Sequence, residues 1–167
     1  PAGSGKTFVA MHLMLRVVTK EGSANVLFVV QNTALAYFVA KWVMVRVSVK
    51  RGSRKADIEE VLSRFHVLHG EGMERASFEI IDGLLTLKEI DASTVIDYSL
   101  VVVDEAHHLR HDVAIEKIEK LTVGSCGGAK ELFVPRLLLS DVSQSSSTST
   151  HGTNLFNGLF RYDRGHA

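Results

Sequence analysis

The chain is 167 residues long, and its nineteen basic and nineteen acidic side chains cancel. That length buries one core rather than two, and the absence of net charge excludes a global positive field as the basis for binding nucleic acid or an anionic membrane. The single cysteine, Cys126, excludes an internal disulfide, and no charged segment followed by a short apolar run opens the chain; both features lead us to expect an intracellular setting, cytoplasmic or nuclear.

In chain order, "PAGSGKT" (residues 1–7) is a glycine-rich opening. "FVAMHLMLRVVTK" (residues 8–20) then carries apolar residues at close to helical spacing until "EGS" interrupts it. "ANVLFVVQN" (residues 24–32) is a continuous β-branched and aromatic run, the pattern of a strand buried on both faces. A helix is expected over residues 33–47, with Val43, Val45, Val47 and Val49 weakening its far end. The stretch without charge from Gly22 to Ala40 is interrupted by Gln31-Asn32-Thr33, so it reads as strand, turn and helix rather than a membrane span.

"KRGSRK" (residues 50–55) is a polar connection, and Ile58, Val61, Leu62 and Phe65 then fall on one helical face. "FHVLH" reads as a short strand, and residues 73–87 as a mostly helical segment with Gly83 inside it. "SLVVVDE" (residues 99–105) is the clearest strand, followed by a helix over residues 109–123, a "GSCGGAK" loop and a buried strand in "PRLLLSD". The tail "SQSSSTSTHGTN" is polar and of low complexity. Strands alternating with helices predict an α/β parallel sheet covered on both faces, with ligands at the carboxyl ends of its strands.

Three segments carry chemistry. In Gly3-Ser4-Gly5-Lys6-Thr7 the glycines let backbone N–H groups turn toward phosphate oxygens, and the helix that follows presents its positive end to the same anion. Lys6 adds a charge for the β and γ phosphates, and the Thr7 hydroxyl is placed to ligate Mg²⁺. Ninety-eight positions after Lys6, a strand runs into Asp104 and Glu105 of "DEAHHL", matching a Walker B pair: Asp104 holds the metal and Glu105 polarises the attacking water. "LLLSDVSQS" is again an apolar strand with a polar end, where Asp141 and Gln144 are the useful groups.

Taken in order, the P-loop, "VLFVVQNTALAYFVAKW", "VVVDEAHHL" and "LLLSDVSQ" resemble the first RecA-like domain of superfamily 1 helicases, especially the Schlafen-like and related helicase-like ATPases. The resemblance spans most of the chain. It implies a three-layer α/β/α P-loop NTPase domain over residues 1–142, with 143–167 as a flexible tail or the start of a following segment. It further implies ATP and Mg²⁺ as cofactors, Gln144 as a γ-phosphate sensor, and Asn32 and Thr33 beside a bound single strand of DNA or RNA. Ser140 stands where the family's GDxxQ motif has glycine, and Asp141-x-x-Gln144 stands where superfamily 2 has Ser-Ala-Thr.

The full P-loop pattern needs a glycine one residue before Pro1, and the loop normally hangs from a buried strand. The chain is therefore expected to be a fragment, lacking that strand and the second RecA-like domain, and to turn over ATP weakly by itself. The alternatives are an AAA+ or signalling P-loop NTPase, or a truncated nucleotide-binding module without turnover. Three weaker signals have bland readings: His107 and His111 as helix histidines, Arg46, Lys50, Arg51, Arg54 and Lys55 as a solvated helix end and loop, and Tyr37, Phe38 and Trp42 as core.

Overall fold

The computed structural model describes residues 5–20, 24–51, 54–105, 111–122 and 134–139. Along them lie α1 (Lys6–Thr19), β1 (Asn25–Val30), α2 (Thr33–Arg51), α3 (Lys55–Ser63), β2 (Phe65–His69), β3 (Glu74–Ile81), β4 (Leu84–Glu89), β5 (Tyr98–Val103), α4 (His111–Thr122) and β6 (Arg136–Leu138). The strands form one sheet in the order β4-β3-β2-β1-β5-β6. β2, β1, β5 and β6 run parallel, whereas β3 and β4 are antiparallel additions at one side.

The apolar run of β1 follows from its place in the middle of this sheet. Val26, Phe28 and Val30 face a core closed by Met11 and Met14 of α1, Val39 and Val43 of α2, and Leu62 of α3. Leu27 and Val29 face the opposite core, with Val101 and Val103 of β5 and Ile118 of α4. Three helices therefore cover one face and α4 the other, which is the three-layer α/β/α arrangement the sequence predicts. Each fully buried Val, Leu or Phe contributes roughly 1.5–3 kcal/mol, so the two cores on either face of the sheet are a large favourable term in folding.

One element differs from expectation. Residues 73–87 are not helical; they form the hairpin of β3 and β4, paired from Ala76↔Glu89 to Ile81↔Leu84. Its two-residue connection, Asp82-Gly83, has φ values of 50° and 80°, the left-handed pair that a tight hairpin turn requires and that Asp-Gly supplies. Phe78 opposite Leu87 and Ile80 opposite Leu85 alternate toward the α1–α3 face, a period of two that the exposed apolar Ile81 and Leu84 obscure in the sequence.

Arg75 is buried and pins the connection after β4, its Nη2 donating to the carbonyls of Asp91 (2.5 Å) and Thr94 (2.8 Å). It also reaches the Tyr98 hydroxyl. Buried His66 lies 3.2 Å from that hydroxyl through Nδ1 and 2.9 Å from the Ser63 carbonyl through Nε2. A carbonyl only accepts, so these partners suit a neutral imidazole that donates from Nε2 and accepts from Tyr98 at Nδ1. Burial, reinforced by the Arg75 charge and opposed by the Ser63 bond, holds the His66 pKa below its ordinary value. The unfolded chain thus binds a proton that the folded chain refuses, and stability is full above about pH 6.5 and falls as pH drops toward the folded pKa. In urea melts between pH 7 and 5, His66→Gln is expected to lose up to one proton's share of the slope, about 1.4 kcal/mol per pH unit; an unchanged slope contradicts this.

Candidate functional site

The carboxyl ends of β1, β2 and β5 share one edge of the sheet, and the start of α1 lies against it. Gly5 occupies the N-cap position of α1 with φ 76°, and its carbonyl accepts the Val9 N–H at 3.0 Å. A Cβ there would touch nothing within 4 Å, so glycine is required by backbone conformation rather than by space. That turn aims the first residues of α1 at the end of β5. The Thr7 hydroxyl donates to Asp104 Oδ2 at 3.4 Å, joining residues 97 positions apart.

Asp104 extends the parallel ladder by one residue, its N–H donating to the Val29 carbonyl at 2.9 Å. This backbone bond fixes the carboxylate at the strand end, where its residue is buried. Burial pushes its pKa above the ordinary value; the Glu105 charge adds to that, while the Glu105 N–H, the Thr7 hydroxyl and the Lys6 charge oppose it. A desolvated carboxylate and a hydroxyl are oxygen donors suited to a hard cation, and the nearby ammonium suits the phosphate oxygens beside it. Among the described residues no three His, Cys, Asp or Glu side chains gather as a metal cage, and a magnesium ion sharing its shell with phosphates and water needs none.

Glu105 is exposed and holds φ 47°, a left-handed conformation uncommon for a residue with a Cβ. Its N–H donates to Asp104 Oδ1 at 3.0 Å, so the same turn orients both acids. Strain of this kind at a strand end concentrates where geometry serves function. The site thus brings together Gly5, Lys6, Thr7, Asp104 and Glu105. Gly3, Ser4 and Gln144 lie outside the described residues, as do Asp141 and Ser140.

At the end of β1, Asn32 caps α2: its Oδ1 accepts the Ala34 N–H at 2.9 Å and its carbonyl accepts the Leu35 N–H at 3.0 Å. The Thr33 hydroxyl lies 3.1 Å from Nδ1 of His69 at the end of β2. His69 has no role in the sequence reading, although a polar residue closing an apolar strand on this edge is the signal that finds Asp104.

The remaining candidates divide. His107 and His108 lie outside the described residues, and so does Cys126. Arg54 and Lys55 pair with Asp57 (3.0 Å) and Glu59 (3.4 Å) on an exposed helix start. Tyr37 packs at 5.7 Å on Phe78, between ring centroids, whereas Phe38 is exposed. Trp42 is half-buried beside Phe8 and His12, with the Arg46 guanidinium 5.3 Å from its ring centroid.

No described helix is long and apolar enough to cross a membrane. The family model "Type III restriction enzyme, res subunit" matches residues 1–125, a span that holds every described residue of the site. Comparison with curated proteins gives no match, and comparison with solved structures gives none either.

Proposed function

The chain belongs to the family of type III restriction enzyme res subunits, a RecA-like, helicase-like P-loop domain, and on that premise we propose that it binds Mg·ATP and hydrolyses it as the first motor domain of a nucleic-acid-dependent ATPase. The observation that carries this reading is the meeting of Thr7 and Asp104 at 3.4 Å beside Lys6. In this reading the Gly3-Ser4-Gly5 segment would supply backbone N–H groups to the phosphates, and Lys6 its charge to the β and γ oxygens. Thr7 and Asp104 hold the metal. When bound there, magnesium would supply positive charge against the charge that develops on the phosphates during transfer.

Glu105, on the same turn as Asp104, accepts the proton of the attacking water. Gln144 senses the γ-phosphate, and the Asp141-x-x-Gln144 spelling favours superfamily 1, near the Schlafen-like ATPases. Thr33 lies where a single strand of DNA or RNA crosses the sheet edge; Asn32 serves the same segment by capping α2. Residues 1–142 act as the motor domain and 143–167 as a polar tail, with the second RecA-like domain supplying the arginine that raises turnover by about 10³ to 10⁵. The setting in this reading is the cytoplasm or nucleus.

Calorimetric titration with ATP in the presence and absence of Mg²⁺, followed by phosphate release with and without single-stranded DNA or RNA, tests the proposal. Metal-dependent binding and slow turnover that rises with a nucleic acid are expected. Absence of nucleotide binding refutes the enzyme reading, and binding without any turnover leaves a nucleotide-binding module instead.

A further inference from the structure

Immediately after Thr7, α1 presents an aromatic residue to solvent. Phe8 is 49 % exposed although two rings touch it: His12 at 4.6 Å and Trp42 at 5.8 Å between centroids. His12 and Trp42 are themselves 4.8 Å apart, so the three rings form a closed triangle bridging α1 and α2. Neither neighbour stacks parallel on Phe8, since the interplanar angles are 76° and 74°. Trp42 is also held by Arg46, whose Cζ lies 5.3 Å from the ring centroid. The neighbours fix the Phe8 ring from two directions and leave about half of its surface open.

Isolated exposed apolar side chains are ordinary and need no explanation. This one differs in being braced, and in following directly upon the residues whose chemistry binds phosphate. Two rotatable angles locked by edge-to-face contacts cost little further entropy when a flat ligand lands on the ring. Thr7 fixes where the phosphates end, and a nucleoside triphosphate carries a planar base a few bonds beyond its α-phosphate.

We infer that the open face of Phe8 is a stacking platform for the nucleotide base, braced by His12 and Trp42. This rests on the nucleotide reading above and adds a ligand contact to it. Stacking reads a π-face and not a base edge, so ATP and GTP use the platform alike. It also makes Trp42, the chain's single tryptophan, a reporter of base occupancy.

The test compares ATP, GTP and inorganic triphosphate on the intact chain with Mg²⁺, reading affinity by calorimetry and Trp42 emission by fluorescence. In the parent protein, both nucleotides change Trp42 emission and triphosphate binds without changing it. Phe8→Ala weakens ATP and GTP by about 5- to 100-fold, the scale of base–aromatic stacking, and leaves triphosphate affinity intact. Phe8→Tyr restores nucleotide affinity. Circular dichroism confirms that the exposed substitution leaves the fold in place.

Equal weakening of triphosphate and ATP in Phe8→Ala, or none of either, overturns the platform and leaves the nucleotide site standing. So does a parent protein that binds triphosphate as tightly as ATP. Loss of single-stranded oligonucleotide binding in Phe8→Ala with unchanged ATP affinity assigns the ring to a different ligand and equally overturns it. A parent protein that binds neither ATP nor triphosphate overturns the platform and the proposed function together.

Discussion

Glu105→Gln is expected to lower ATP turnover by about 10²- to 10⁴-fold and to leave Mg·ATP affinity nearly unchanged. The substitution keeps size and shape but removes the ability to take a proton, and its backbone N–H still donates to Asp104 Oδ1 as it does in the parent. It therefore leaves the metal and phosphate contacts in place and withdraws only the base. In free energy the loss is about 3 to 5 kcal/mol, all of it in the transition state. Binding and chemistry are measured separately, by a fluorescent-nucleotide titration and by single-turnover phosphate release. A variant that hydrolyses at the parental rate shows that water is activated elsewhere, whereas one that loses affinity shows that Glu105 is part of the phosphate site.

The left-handed φ of 47° at Glu105 sharpens this expectation. A residue with a Cβ adopts that conformation at a cost of order 1–3 kcal/mol, sustained only when the surroundings determine it. Here the ladder bond of Asp104 to Val29 and the Asp104 carboxylate itself fix the turn. The base we propose is thus carried on a constrained corner of the sheet, which suits a group whose proton acceptance depends on direction.

How much of this was legible in the sequence depended on whether local pattern and tertiary position agreed. β1 from Val26 and β5 from Leu100 are apolar because both faces of a central parallel strand are buried, and composition alone betrays them. The hairpin of β3 and β4 was less legible, because the exposed Ile81 and Leu84 put apolar side chains out of step with the core-facing Phe78, Ile80, Leu85 and Leu87 and blur the alternation that runs from Arg75 to Ile80. Its turn was written plainly in Asp82-Gly83. Reading that dipeptide as a glycine within a helix hid a two-residue hairpin.

The site shows the same division. Glycine, lysine, threonine and paired acids announce phosphate chemistry because few other tasks need those types at those spacings. Which hydroxyl meets which carboxylate is a matter of the sheet, and the 3.4 Å approach of Thr7 to Asp104 follows from the parallel placement of β1 beside β5. His69 and Phe8 were hidden for opposite reasons. His69 closes a strand that the sequence does show, but no motif marks it, and Phe8 fits the apolar periodicity of α1 while facing outward.

Asp104→Asn is expected to raise the melting temperature of the nucleotide-free protein while abolishing its magnesium-dependent nucleotide binding and turnover. The carboxylate is buried beside Glu105, and burial together with that charge lifts its pKa above the ordinary value in the folded state. The folded chain thus holds the proton more readily than the unfolded chain. Stability falls as pH rises from the unfolded carboxylate value, near 3.9, through the folded one, and at neutral pH the full penalty is present. Asparagine removes the charge and keeps an oxygen for the Glu105 N–H. A gain of about 1 kcal/mol is typical for relieving such a strain, which is about 2 to 4 °C for a chain of this size. The gain closes as pH drops below the carboxylate range, where the parent is protonated as well. Saturating Mg·ATP reverses the ranking: at a hundred times its dissociation constant it stabilises the parent by about 2.7 kcal/mol and leaves the variant unmoved. Thermal melts of both proteins at pH 7 and pH 4, with and without Mg·ATP, read all of these at once. A variant less stable than the parent without nucleotide shows that Asp104 holds the fold together through Thr7 and Lys6, and its placement at the strand end then needs no metal to explain it.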